Sequence, residues 1–216
     1  MHIVFRNHNY YLKNHLETVV VNKIIELDSN GRLDCCTCKR CMSDLVAYTL
    51  NRLPPKYAYI EPGQEYARLE ELSNKYGDDI ETAINLGSKL VKAYPRHDDT
   101  HEKLCNDTDD GVEVFMENYV ELLVVERLSD VVEKIDCCKC DHCLSDVAIY
   151  TLNRIQPRYV ASIKGEAYGK IDTLHLQYET DVLRNLLEGA ELVKANPMHT
   201  KEDLDKFNGN LSMRFI

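Results

Sequence analysis

The chain has 216 residues, with 26 Lys and Arg against 36 Asp and Glu and a formal net charge of −10. That balance argues against nucleic-acid binding, because duplex affinity rests on Lys and Arg displacing counterions, although a small anion needs only a local basic cluster. No apolar run reaches the length of a membrane helix, and Met1-His2-Ile3-Val4-Phe5-Arg6 lacks the apolar stretch of a signal peptide, so a cytoplasmic protein without membrane association is expected.

In chain order, Leu16, Val19, Val20 and Ile24 fall at helical intervals and predict a first amphipathic helix. A cysteine cluster follows, Cys35-Cys36-Thr37-Cys38-Lys39-Arg40-Cys41. Met42, Leu45, Val46, Thr49 and Leu53 then predict a second helix, which must stop near Pro54-Pro55 because proline lacks the amide donor and restricts the residue before it. Tyr57-Ala58-Tyr59-Ile60 suits a short extended segment or a loop. Leu69, Leu72, Tyr76, Ile80, Ile84, Gly87 and Val91 predict the longest helix, closed by Pro95. Gly87 inside that helix costs about 1 kcal/mol relative to Ala, which suits a close helix crossing there.

The polar run from Asp98 to Gly111 reads as an acidic, solvated linker, since its aspartates lack the spacing of a calcium loop. Beyond it the whole pattern returns. Residues 34–97 align without a gap at an offset of 102, with about 26 identities, and Cys137-Cys138-Lys139-Cys140-Asp141-His142-Cys143 stands for the first cluster. Upstream, Asn14-x-x-Glu17 meets Asn118-x-x-Glu121 if the first copy carries two extra residues in the Asp28-Ser29-Asn30-Gly31 turn. The expected organisation is a first repeat over 1–97, a linker over 98–112, a second repeat over 113–199 and a tail over 200–216. Each repeat is near the size where one hydrophobic core is only marginally stable, so the pair is expected to pack face to face as a homodimer would. The fold class is mainly α: two tandem helical repeats about a pseudo-two-fold axis, with room for short extended segments.

Eight of the nine cysteines sit in the two clusters, the ninth being Cys105 in the linker, which points to metal or thiol chemistry rather than a disulfide framework. Cys38-x-x-Cys41 and Cys140-x-x-Cys143 have the spacing of zinc ligands. The candidate ligands are Cys35, Cys36, Cys38 and Cys41 with Cys137, Cys138, Cys140 and Cys143, completed across the repeats or by His142, His97 or His199. Two other readings stay open. The thiols suit a helix N-terminus, where the dipole favours a thiolate at Cys41 or Cys143, and the vicinal pairs suit a redox switch.

A polar face runs along the second helix. Asp44, Tyr48, Asn51 and Arg52 recur as Asp146, Tyr150, Asn153 and Arg154, followed by Pro55-Lys56-Tyr57 and Pro157-Arg158-Tyr159. Arginine grips phosphate bidentately or stacks on a base, tyrosine supplies a ring face, and Asp or Asn reads a guanine edge, so these twelve residues and positions (Lys56, Tyr57, Arg158 and Tyr159 included) form a candidate nucleotide site. A solvated, salt-bridging helix face gives the same pattern. No nucleophile and base pair, paired carboxylates or phosphate-cradling glycine loop stands out, so no enzyme is expected.

The run of cysteines, then Ala-Tyr-Thr-Leu-Asn-Arg-Leu-Pro-Pro-Lys-Tyr and a long helix ending in Val-Lys-Ala-x-Pro-x-His, resembles the late competence development protein ComFB family over nearly all of both repeats. The resemblance implies a small dimerising helical unit, cysteine-bound zinc in some members and binding of cyclic di-GMP. It makes the chain a tandem pseudo-dimeric receptor for that nucleotide, acting on an unidentified downstream protein, as a monomer or a further homo-oligomer. This chain departs from the pattern in its doubled Cys35-Cys36 and Cys137-Cys138 and in Gln156 where the first copy has Pro54. The rival reading is a zinc-stabilised or thiol-regulated interaction module that binds no nucleotide.

Overall fold

The computed structural model describes residues 4–6, 12–59, 65–95, 114–163, 175–197 and 199. The first repeat contains β1 (Val4–Arg6), β2 (Leu12–Asn14), α1 (His15–Ser29), α2 (Lys39–Leu50), β3 (Tyr57–Tyr59) and α3 (Glu65–Ala93). The second contains β4 (Val114–Asn118), α4 (Tyr119–Val131), α5 (Asp141–Leu152), β5 (Tyr159–Ile163) and α6 (His175–Ala195). The molecule is mainly helical, with three helices to a repeat among the described residues, as the apolar spacing predicts. The expected linker, with Cys105 in it, and His97 lie outside the described residues.

Local chemistry fixes where the helices start and stop. Asn14 and Asn118 cap α1 and α4, their side chains accepting the N–H groups of Leu16 and Val120, which satisfies donors that a first turn leaves open. The second helix of each repeat ends at Leu50 or Leu152, a few residues before the prolines. Leu53 and Ile155 therefore lie in the following turn, yet both are buried. At the crossing of the second and third helices, an added Cβ on Gly87 would stand 2.7 Å from Leu45 Cδ1 and Tyr48 Cδ1, and one on Gly189 3.0 Å from Tyr150 Cδ1. The close approach expected there is present, and glycine is what permits it.

The strands carry the architecture that helical spacing could not foretell. β2 pairs antiparallel with β3, Leu12 opposite Tyr59 and Asn14 opposite Tyr57. β4 pairs antiparallel with β5 from Val114 opposite Ile163 to Asn118 opposite Tyr159, and β1 adds to β4 in parallel, so Val4–Arg6 joins the second repeat's strand pair. In each repeat the two paired strands are separated in sequence by two helices, and each pair gives side chains to the other repeat's core. Leu12 and Tyr57 are buried among Val120, Leu123, Leu144 and Val182 of the second repeat. Met116 and Tyr159 are buried among Leu16, Val20, Leu45 and Ile84 of the first. Neither core is complete without the partner repeat, so the face-to-face packing expected from size is an exchange of strand side chains. Among the described residues no helix is long and apolar enough to cross a membrane.

Candidate functional site

The repeated residues serve three separate structures. The first is a lock between repeats. Asn51, in the turn after α2, donates from Nδ2 to the Tyr159 carbonyl at 2.9 Å and accepts the Tyr159 N–H at Oδ1 at 2.5 Å. Asn153 treats the Tyr57 backbone the same way, at 2.9 and 2.7 Å. Each carboxamide thus stands in for a neighbouring strand. The tyrosine side chains then reach inward: Tyr57 donates its hydroxyl to Glu121 Oε2 at 2.9 Å and accepts from Asn118 Nδ2, while Tyr159 donates to Glu17 Oε1 at 2.6 Å and accepts from Asn14 Nδ2. Each Asn-x-x-Glu motif grips the tyrosine of the opposite repeat. Both tyrosines are 2% exposed, and burial, the first cause, with nearby glutamates holds both phenols well above their ordinary pKa. The structure thus corrects part of the expected nucleotide site: Tyr57 and Tyr159 offer no ring face to a ligand, and the amide edges of Asn51 and Asn153 are already engaged by backbone.

The second structure is the thiol cluster. Sγ of Cys138, Cys140 and Cys143 and a ring nitrogen of His199 lie within 4.8 Å of one another, as do the sulfurs of Cys36, Cys38 and Cys41. His199 Nδ1 is 3.0 Å from Cys143 Sγ and 3.6 Å from Cys140 Sγ. Tetrahedral zinc with ordinary bond lengths separates a sulfur and a nitrogen ligand by about 3.6 Å, so the donor set suits that ion. Among the described residues the candidate donor atoms of each group come from one repeat. Cys35 and Cys137 fall outside both groups, which narrows the eight-cysteine set to six, and His142 lies against Tyr59, ring centres 5.5 Å apart. Cys38 and Cys140 occupy the cap positions of α2 and α5 without a side-chain capping bond. Burial first, then the neighbouring thiols, pushes Cys143 well above the ordinary thiol range, which opposes the expected helix-stabilised thiolate in the absence of a cation. The end of the third helix is tied to the cluster: Lys92 Nζ meets Asp34 at 2.7 Å and Lys194 meets Asp136, next to Cys35 and Cys137. This gives the repeated lysine of Val-Lys-Ala-x-Pro-x-His its place in both repeats.

The third structure is what remains of the polar face. The Arg52 guanidinium lies 3.4 Å above the centre of the Tyr48 ring and that of Arg154 3.3 Å above Tyr150. Nη1 of each arginine donates to the carbonyl of the same tyrosine at 3.2 Å. Both arginines are exposed. Gly87 and Gly189 leave the space in which the rings lie, so glycine, tyrosine and arginine form one stack in each repeat. In the second repeat a cleft of about 420 Å³ opens beside it, lined by Arg154, Gln156, Gln177, Tyr178, Asp181 and Asn185. In the first, Lys56 and Lys75 hold their ammonium groups 5.3 and 5.5 Å from the centre of the Tyr76 ring, the counterpart of Tyr178. Arg158 is exposed, with its backbone N–H on Asn118 Oδ1. Asp44 and Asp146 are half-buried; burial raises the Asp146 carboxyl, with His142 opposing. Sequence reasoning missed the cleft's α6 residues, for which spacing holds no signal.

A tandem helical repeat with a cysteine cluster at the start of each second helix defines the class. The family model of the late competence development protein ComFB matches residues 13–95 and 117–197, and the chain belongs to that family as a tandem duplication of its domain. It is similar to the competence protein ComFB of Bacillus subtilis (strain 168), at 32% identity over 81 residues, 37% of this chain and 83% of that protein. No solved structure matches.

Proposed function

We propose that this protein is a non-catalytic receptor in which the arginine and tyrosine stacks receive the phosphodiester groups of cyclic di-GMP, while zinc at the cysteine clusters holds the second helix to the third. The observation that carries the reading is the duplicated Gly-Tyr-Arg stack. It presents a preorganised, exposed guanidinium beside a polar cleft in an otherwise acidic chain. Stacking fixes the arginine plane, so less freedom is lost when it takes a phosphate in a forked hydrogen bond. The pseudo-two-fold arrangement suits a ligand that is itself two-fold symmetric.

Titration calorimetry against cyclic di-GMP, with GTP and cyclic di-AMP as controls, tests the reading. Loss of a charge-assisted contact is worth about 1.5–3 kcal/mol, roughly ten- to a hundredfold in affinity. Arg52→Ala is therefore expected to weaken binding by that factor with little change in the melting temperature of the free protein. The Arg52/Arg154 double variant weakens it further if both stacks take ligand. Wild-type protein that gives no heat with cyclic di-GMP at high micromolar concentration sinks the proposal.

A second reading is favoured by one observation. Four of the twelve expected nucleotide residues, Asn51, Tyr57, Asn153 and Tyr159, are committed to the lock between repeats. An interaction module stabilised by zinc needs only that lock and the thiol clusters, and it is the reading that stands if the titration is flat.

A further inference from the structure

The lock draws two carboxyl and two phenol side chains together in the buried interior. Glu17 of α1 and Glu121 of α4 are 2% and 1% exposed. Each carboxylate takes a phenol hydrogen bond from the opposite repeat, and each phenol is in turn held by an asparagine, Asn14 or Asn118. Glu17 Oε2 is buried without any hydrogen-bond partner. The titratable groups that face Glu17 are Tyr159 of β5, Glu121 of α4 and Lys13 of β2, with Tyr57 of β3 beside Tyr159. Lys13 is the one cation among them, and its ammonium lies 3.0 Å from Glu65. Two carboxylates that share a buried site do not both ionise without a compensating cation.

We propose that Glu17, Glu121, Tyr57 and Tyr159 form a proton-operated latch: a proton held on Glu17 keeps the exchanged strand tyrosines docked, and its loss loosens the two repeats. The step is a simple ionisation, Glu17 carboxylic acid to carboxylate with the proton passing to solvent. It leaves an unpaired anionic oxygen where a neutral one stood.

Burial above all lifts the Glu17 carboxyl to about 8, with Glu121 adding to it and the hydrogen bond from Tyr159 opposing. The sign follows from linkage. A carboxyl that holds its proton more tightly when folded gives stability that is complete below the ordinary carboxylate range and lost as pH rises through about 8. One proton in that window moves the docking equilibrium by up to about tenfold per pH unit.

Amide hydrogen exchange at Tyr57 and Tyr159, whose N–H groups rest on Asn153 and Asn51, reads docking directly. It is measured from about pH 5 to pH 9 with correction for intrinsic exchange, on the wild-type chain and on Glu17→Gln, which cannot ionise. Wild-type protection is expected to fall by up to about tenfold per pH unit and Glu17→Gln to stay level. Equal pH slopes in the two proteins overturn the latch. Where Glu17→Gln does not fold, NMR titration of the wild-type Glu17 side-chain carboxyl carbon decides. A midpoint well above the ordinary carboxylate range supports the proposal, and one near pH 4, the ordinary range, overturns it.

Discussion

Asn51 and Asn153 each replace a strand's backbone with a side chain, using both the donor and the acceptor of the carboxamide. Asn51→Asp keeps the shape and the acceptor but turns a carboxylate oxygen toward the Tyr159 carbonyl. Leaving buried groups of this kind unmet costs about 1–3 kcal/mol, and a lower midpoint in chemical denaturation checks it. Gly87→Ala sets two effects against each other: about 1 kcal/mol gained in helix propensity, and about 1–3 kcal/mol lost to overpacking, since the new methyl meets Leu45 and Tyr48 at 2.7 Å. The contacts are with a ring and a packed leucine, so the loss is expected to win. Thermal melting gives the sign, and ligand titration shows whether the displaced Tyr48 ring releases Arg52. At this scale the sequence marked the right residues more often than the right roles. The repeated Asn-Arg, Pro-x-Tyr and Asn-x-x-Glu identities pointed to positions under constraint. A single chain read by spacing holds no sign that a tyrosine's partners lie in the other repeat, so Tyr57 and Tyr159 looked available for stacking when they are buried.

The helices were legible because their apolar periods are long, and the second and third of each repeat run into proline. The extended segments at Tyr57 and Tyr159 were legible as strand or loop, but not their partners: β1 and β2 have three residues each, too few for alternation to show. The thiol clusters fall between these cases. Cys-x-x-Cys spacing pointed to metal chemistry with His199 among the candidate completing ligands, and folding singled out His199 and separated Cys138, Cys140 and Cys143 from Cys137. Zinc held there would pin the end of α6 to the start of α5. Protein purified without added metal is expected to contain zinc by elemental analysis, and removal by chelator should lower the melting temperature. His199→Ala is expected to weaken metal retention in the second repeat while leaving the three first-repeat cysteines, Cys36, Cys38 and Cys41, unaffected. Equal retention in wild type and variant would remove His199 from the ligand set.

For the molecule as a whole, each repeat lacks part of its core until the other supplies its strand residues. Separate chains cut between residues 98 and 112 would each expose a slot lined by the apolar side chains that now surround Tyr57 or Tyr159. They are expected to self-associate by filling the slot with a second copy, or to melt well below the intact protein. Sedimentation and thermal melting test this, and two monomers of full stability would count against the exchange. The duplication itself was plain from sequence, and so was the need for the halves to pack; the crosswise exchange depends on short strands and could not be read. The same crossing bears on inheritance. Tyr57 works with Asn118 and Glu121, and Tyr159 with Asn14 and Glu17. A substitution in one half of the gene is therefore expected to find its compensation in the other, with a diagonal pair rather than a repeat as the unit that descends intact. Chimaeras that graft one repeat from a relative should succeed or fail according to whether the diagonal partners travel together.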